Sequence, residues 1–273
     1  MQVLPSKELA PYIKHYLFLD NAETAVQKLR LFSDGNTGFV FSLKSRLISE
    51  IKHETKEYLP ASFLYGQLNG FKDLYSENQI MLIIVVFQPN GINQLLGIPA
   101  SEFHNLIVPI EDILGEKAAM LQEKLSQQNN HEGLALLNYF FSSMIIAKPT
   151  DNQLAINNSL HFITSCKGHF SLKQLVEHTG FSERHLERKF KESVGLNPKK
   201  FGSIIRLHHF LKLLKNKSSE ANLTSIAYDA GFSDQSHLIK EFRKHTGITP
   251  SEYLYTTKKL TNNLIERFSP FIL

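Results

Sequence analysis

A chain of 273 residues with 42% hydrophobic and 21% charged residues has the composition of a globular protein large enough for two cores. One cysteine, Cys166, excludes an intramolecular disulfide and any multi-cysteine zinc site. The net charge of +4 is unevenly held: residues 1–150 carry 12 Lys and Arg against 15 Asp and Glu, a net −3, and residues 151–273 carry 18 against 11, a net +7.

The first ten residues, MQVLPSKELA, lack the basic and apolar regions of a signal peptide. The longest apolar run, Ile80 to Phe87, is eight residues, against the ~20 a helix needs to span a bilayer. The expectation is a soluble protein of a reducing, cytoplasmic compartment with no membrane partner. Residues 4–20 contain a Pro-led helix pattern with Leu9, Ile13 and Tyr16 on one side. Alternating apolar stretches then predict strands at Val26–Phe32, Gly38–Leu43, Arg46–Ile51, Ala61–Tyr65 and Ile80–Phe87. The unbroken run MLIIVVF predicts a central strand covered on both faces. After the turn cluster from Gln88 to Gly91 the pattern becomes helical, with short pieces at Ile92–Leu96 and Ile110–Gly115. Amphipathic helices follow over Lys117–Gln127 and Leu134–Ala147. Ala147–Gln153 is short, polar and Pro-containing, a linker.

Beyond the linker the chain repeats itself. LKQLVEHTGFSERHLERKFKESVGLNP begins at Leu172, and LTSIAYDAGFSDQSHLIKEFRKHTGITP at Leu223. The offset is 51 from Leu172/Leu223 to Ser182/Ser233, and 52 from Leu186/Leu238 to Pro198/Pro250. Register held on both sides of a single slip marks a repeated supersecondary unit. Each copy reads as helix–turn–helix. Gly180 or Gly231 closes the first helix, Phe181 or Phe232 fills the angle, and Ser182 or Ser233 N-caps the second helix. Glu183 or Asp234 then sits where the helix dipole favours negative charge. Leu186 with Phe190, and Leu238 with Phe242, form the buried stripe. Left outside are Arg184, Glu187, Arg188 and Lys191 in the first copy, and Ser236, Ile239, Lys240 and Arg243, with Gln235, in the second. Side chains of these types pair with base edges and phosphates. A linking helix is predicted from Pro198 to about Lys215. Residues after Lys259 form a last short helix or a frayed tail.

The paired GFS turns, the FK and FRK endings and the closing G-x-x-P and GITPSEY resemble the two helix–turn–helix motifs of AraC/XylS-type bacterial transcription regulators, over roughly residues 152–256. Phe210 stands where that family commonly has a small residue. The stretches PSKELAPYIKHY, FSDGNTGFVFSL and VVFQPNGINQLLGIPASEF resemble, more loosely, the N-terminal domain of one branch of the family. The resemblance implies two recognition helices in successive major grooves of double-stranded DNA, ~34 Å apart. It places base reading at Arg184, Glu187, Arg188, Gln235, Ser236 and Lys240. Ser182, Lys191, Lys199, Lys200, Ser233 and Arg243 are assigned to the DNA backbone. The implied partners are a small-molecule effector and, for an activator, RNA polymerase. The amphipathic helices, with Met120, Leu121 and Leu125 on one and Leu136, Leu137, Phe140 and Phe141 on the other, either join a second copy of the chain through residues 1–147 or cover the sheet of their own domain.

The fold class expected is an α+β N-terminal domain, a β-sheet followed by helices, over residues 1–147. An all-α DNA-binding domain with two helix–turn–helix motifs follows over 152–258, and a tail over 259–273. No nucleophile elbow, phosphate-cradling loop or paired-histidine metal motif occurs, so no catalytic residue, metal or cofactor is assigned. His208 and His209 are adjacent and point to different sides of a helix. Two rivals remain: an N-terminal enzyme acting on a metabolite and tethered by the helices, and a protein-interaction module whose basic face meets an acidic partner. Turnover by an N-terminal fragment would favour the first. Salt-sensitive binding without sequence preference would favour the second.

Overall fold

The computed structural model describes residues 1–21, 27–52, 55–145, 150–215, 223–255, 257–259 and 264–267. Two six-stranded antiparallel sheets face each other. The first takes β1 (Gln2–Val3), β2 (Ile13–Asn21), β4 (Gly38–Ser42), β7 (Ser62–Tyr65), β9 (Ile80–Phe87) and β10 (Ile107–Pro109), in the order β1-β2-β9-β4-β7-β10. The second takes β3 (Gln27–Phe32), β5 (Ile48–Lys52), β6 (Thr55–Tyr58), β8 (Phe71–Ser76), β11 (Thr257–Lys259) and β12 (Leu264–Arg267), in the order β11-β12-β3-β8-β5-β6.

Strand β9 shows why the first sheet forms a middle layer. Ile83, Val85 and Phe87 point into a core shared with α1 (Gly91–Leu96), α2 (Glu111–Leu114), α3 (Glu116–Ser126) and α4 (Asn130–Ser142). Leu82, Ile84 and Val86 point the other way, into a core shared with Leu29, Leu31 and Leu74 of the second sheet. With period-two alternation and both faces covered, every residue of the run has to be apolar. The aromatic centre of the helix-side core is Phe39, Phe87 and Phe141, whose rings meet at 5.1–6.2 Å.

Two expected elements are corrected. Residues 4–20 are not a helix: turns run through Lys7–Tyr12 and β2 starts at Ile13. Leu9, Ile13 and Tyr16 do share one core, but a register shift between Ile13 and His15 brings Ile13 and Tyr16 to one side of a strand. A bulge thus produced helix-like spacing. The tail is not helical where it is described, since β12 lies antiparallel beside β3, with Ile265 opposite Arg30. The half-exposed β8, the exposed β6 and the short β10 were missed by the sequence reading. Part of the expected linker, residues 146–149, lies outside the described residues, and Thr150 already caps the next helix.

The C-terminal half holds α5 (Asp151–Ser165), α6 (Leu172–Thr179), α7 (Glu183–Val194), α8 (Pro198–Lys215), α9 (Leu223–Asp229), α10 (Gln235–Thr246) and α11 (Pro250–Tyr255). It has two cores. Ile156, Ile163, Leu175, Leu186, Phe190 and Phe201 enclose the first motif. The second motif is built around Phe210, Phe232, Leu238 and Phe242. Phe210 is fully buried, with Phe232 and Phe242 edge-on to it at 6.3 and 5.8 Å. The bulk that departs from the family pattern therefore fills the second core.

The two halves are tightly docked. Phe32 of β3 lies in the second motif's core and stacks on His208, whose Nε2 is 3.0 Å from the Ser33 carbonyl. Arg30, only 4% exposed, donates through Nε and Nη2 to Asp73 at 2.6 and 2.7 Å, and through Nη1 to the Thr246 carbonyl at 3.1 Å. Its guanidinium lies 4.0 Å from the Phe71 ring centroid.

Candidate nucleic-acid interface

Each recognition helix is set by a local turn. Gly180 adopts φ +71° and takes the end of α6 into the left-handed region. Ser182 then caps α7, its Oγ accepting from the His185 amide at 3.4 Å. In the second motif the cap is not the expected Ser233. Asp234 caps α10, its carboxylate accepting from the His237 amide at 2.7 Å. That amide holds the Asp234 carboxyl below the usual range. The extra residue of the second copy is absorbed in the turn, and cap-to-leucine spacing is the same in both motifs, Ser182 to Leu186 and Asp234 to Leu238. Ser233 instead donates to Asp234 at 3.3 Å.

With Leu186, Phe190 and Val194 buried, α7 leaves Arg184, Arg188 and Lys191 exposed and Glu187 half-exposed along one side. Arg188 lies 3.8 Å from Glu192 and donates to His185 Nδ1 at 3.5 Å. With Leu238 and Phe242 buried, α10 leaves Ser236, Lys240 and Arg243 exposed and Gln235 and Ile239 half-exposed. Gln235 accepts a 2.8 Å bond from Thr224 on its carbonyl oxygen, so its amide nitrogen is the end available to a base acceptor. Lys199 is exposed at the start of α8. Lys200 lies elsewhere: its ammonium donates to Asn69 of the N-terminal half. Burial, helped by Lys244, lowers its pKa. The structure thus brings nine of the twelve predicted contacts onto two helix faces and the Ser182 cap, sets Ser233 beside the Asp234 cap, leaves Lys199 exposed at the linking helix, and turns Lys200 toward the sheets.

The pair His185 and His237 was legible as a 52-residue repeat but was not read as structural. Both sit three positions into the capped turn, edge-on to Phe181 and Phe232 at 4.7 and 5.6 Å. Among the described residues no helix is long and apolar enough to cross a membrane. No group of three or more His, Cys, Asp or Glu among them is placed to hold a metal ion.

Residues 175–255 match a family model described as a helix-turn-helix domain. Residues 175–255 therefore carry a helix-turn-helix domain. Residues 1–109 match a domain of unknown function. An uncharacterized HTH-type transcriptional regulator of Staphylococcus aureus is 30% identical over 125 residues, 46% of this chain but 16% of that relative. The lactose operon transcription activator of Staphylococcus xylosus is 29% identical over 99 residues, 36% of this chain and 35% of the relative. The chain therefore covers well under half the length of either curated relative. Among solved structures, ToxT from Vibrio cholerae aligns over 88% of this chain and 97% of its own, at 14% identity and a TM-score of 0.46.

Proposed function

We propose that this chain is a sequence-specific DNA-binding regulator of transcription of the AraC type, with α7 and α10 in successive major grooves. One observation carries the reading: both recognition helices bury their apolar stripe and leave an opposite stripe exposed, mainly basic on α7 and mixed polar and basic on α10, in the half that holds a net charge of +7. Arg184, Glu187, Arg188, Gln235, Ser236 and Lys240 read bases. Ser182, Lys191, Lys199, Ser233 and Arg243 meet the backbone. The reading is non-enzymatic and cytoplasmic, with a regulatory unit over residues 1–147 and a DNA-binding unit over 152–258. The name of the S. xylosus relative supports activation, and with it contact with RNA polymerase.

Regulation runs through the N-terminal half. The space between the two sheets is about 30 Å³ and is lined by Leu17, Leu29, Leu31, Phe63 and Leu82, with His15 at its wall. That is room for about two waters. An effector bound there would have to part the sheets. Self-association uses the groove of about 290 Å³ between α3 and α4, where Met120 and Tyr139 are 56% and 78% exposed.

The test is selection of binding sites from a random DNA pool with the full chain, followed by fluorescence anisotropy at rising salt. An enriched site and a log–log slope near −5, for ~6 neutralised phosphates, are expected. No enriched site, or a flat salt response, would overturn the reading.

A further inference from the structure

Strand β3 is held by the C-terminal half from three directions. Arg30 and Phe32 reach across to the second motif, through the Thr246 carbonyl and the core around Phe210. The third hold comes from the chain itself. One residue after α11 it enters β11, and β12 then pairs antiparallel with β3, Leu264 opposite Leu31 and Glu266 opposite Leu29. Without that pairing β3 would be an open sheet edge with a row of unpaired backbone donors and acceptors. The alternate residues of the same strand, Leu29 and Leu31, line the space between the sheets. The first motif is held to the N-terminal half by other contacts. Asn90 donates to Asn157 at 2.7 Å, and Gly195 packs against the Ala100 carbonyl.

We propose that the segment after the second motif is a releasable strap: its strands β11 and β12, paired on the edge of β3, help Arg30 and Phe32 fix the second helix–turn–helix unit to the N-terminal sheet, and their release loosens that unit while leaving the first one docked. The strap reinforces the direct contacts of Arg30 and Phe32, so that the position of α10 follows that of β3, the strand whose other side faces the inter-sheet space. This coupling does not depend on the DNA-binding reading, and its test needs no DNA.

Three proteins are compared by hydrogen exchange with peptide-resolved mass spectrometry: the full chain, a chain ending at Tyr255, and full-length Ile265→Pro. The shortened chain keeps every residue matched by the helix-turn-helix model, 175–255. The proline removes a donor opposite Arg30 from a strand paired on both sides. In both variants peptides covering β3, α10 and α11 should exchange about tenfold or more faster, while β9 and α7 keep their protection. Unchanged protection of β3 and α10 in either variant that stays folded overturns the proposal. So does loss of protection through β9 in both, because the tail is then part of the fold and not a strap on it.

Discussion

Arg188 has two calls on its guanidinium. Its pair with Glu192 is solvent-exposed at 3.8 Å, worth about 0–1 kcal/mol. Two parallel bonds to guanine O6 and N7 give about 1–3 kcal/mol of discrimination, so the base wins. Arg188→Ala should cost about 1–3 kcal/mol on the selected site and relax preference at one base pair. A site logo that keeps every preference would make Arg188 a phosphate contact. The two lysines at the start of α8 should separate. Lys199→Ala should weaken cognate and random DNA alike and lower the salt slope by about one. Lys200→Ala should leave that slope unchanged, because its ammonium is engaged by Asn69. The glycines differ too. Gly180 and Gly247 share φ +71°, a conformation that costs an alanine about 1–2 kcal/mol. A Cβ at Gly180 meets nothing within 4 Å, whereas at Gly247 it would come 2.3 Å from Phe71 and 2.6 Å from Arg30. Gly247→Ala should therefore lower the urea midpoint further than Gly180→Ala, and equal losses would mean that the docked interface gives way easily.

At the scale of elements, the displaced cap is open to a direct check. Asp234→Ala should destabilise by about 0.5–2 kcal/mol, Asp234→Ser by much less, and Ser233→Ala by little. Urea unfolding in which Ser233→Ala is the more damaging would return the cap to the serine. The two motifs were legible in the sequence because turn, cap and apolar stripe lie within a few residues of one another. Only the residue that takes the cap was misplaced, because Ser233 and Asp234 are both good capping types. Strand β9 was legible because its apolar run needs two covered faces. β2 was misread because a bulge mimics helical spacing. β12 was illegible for a different reason: its partner, β3, lies more than two hundred residues earlier, and no local pattern encodes that pairing. The contacts of Lys200 and Arg30 were hidden likewise, since each depends on how the two halves dock.

Across the whole molecule, docking relies on buried charge. Asp73→Ala would leave Arg30, 4% exposed, without its carboxylate, and should destabilise by about 3–5 kcal/mol. A loss under 1 kcal/mol would show that solvent reaches Arg30 when its partner is gone. Burial also sets the pH response. It depresses the pKa of His15, with Lys14 assisting and Asp34 opposing. It does the same to His245, where Glu241 opposes it and Lys244, His208 and Lys200 assist. Both rings are thus favoured neutral, so the unfolded chain binds more protons than the folded one. Their contribution is present above the ordinary imidazole value of 6.5 and is lost as pH falls below it. At Asp34 and Asp73 burial raises the pKa, but Lys14 and His208 at the first and Arg30 and Lys28 at the second outweigh it. These carboxylates add a second loss as pH falls below 3.8. The urea midpoint should drop between pH 7.5 and 5.5, and by less in His245→Gln. Equal drops would assign the slope to other groups.

Because β3 sends Leu29 and Leu31 to one side and Arg30 and Phe32 to the other, this short strand has a reading frame of two. One residue inserted between Lys28 and Leu29, with the strand's start held in place, would turn a guanidinium into the apolar layer between the sheets and present leucines to the helices. Two inserted residues would restore the phase. The spacing of side chains along β3 is therefore under tighter restraint than their identity, and conservative exchanges within it should be tolerated where any single insertion or deletion is not.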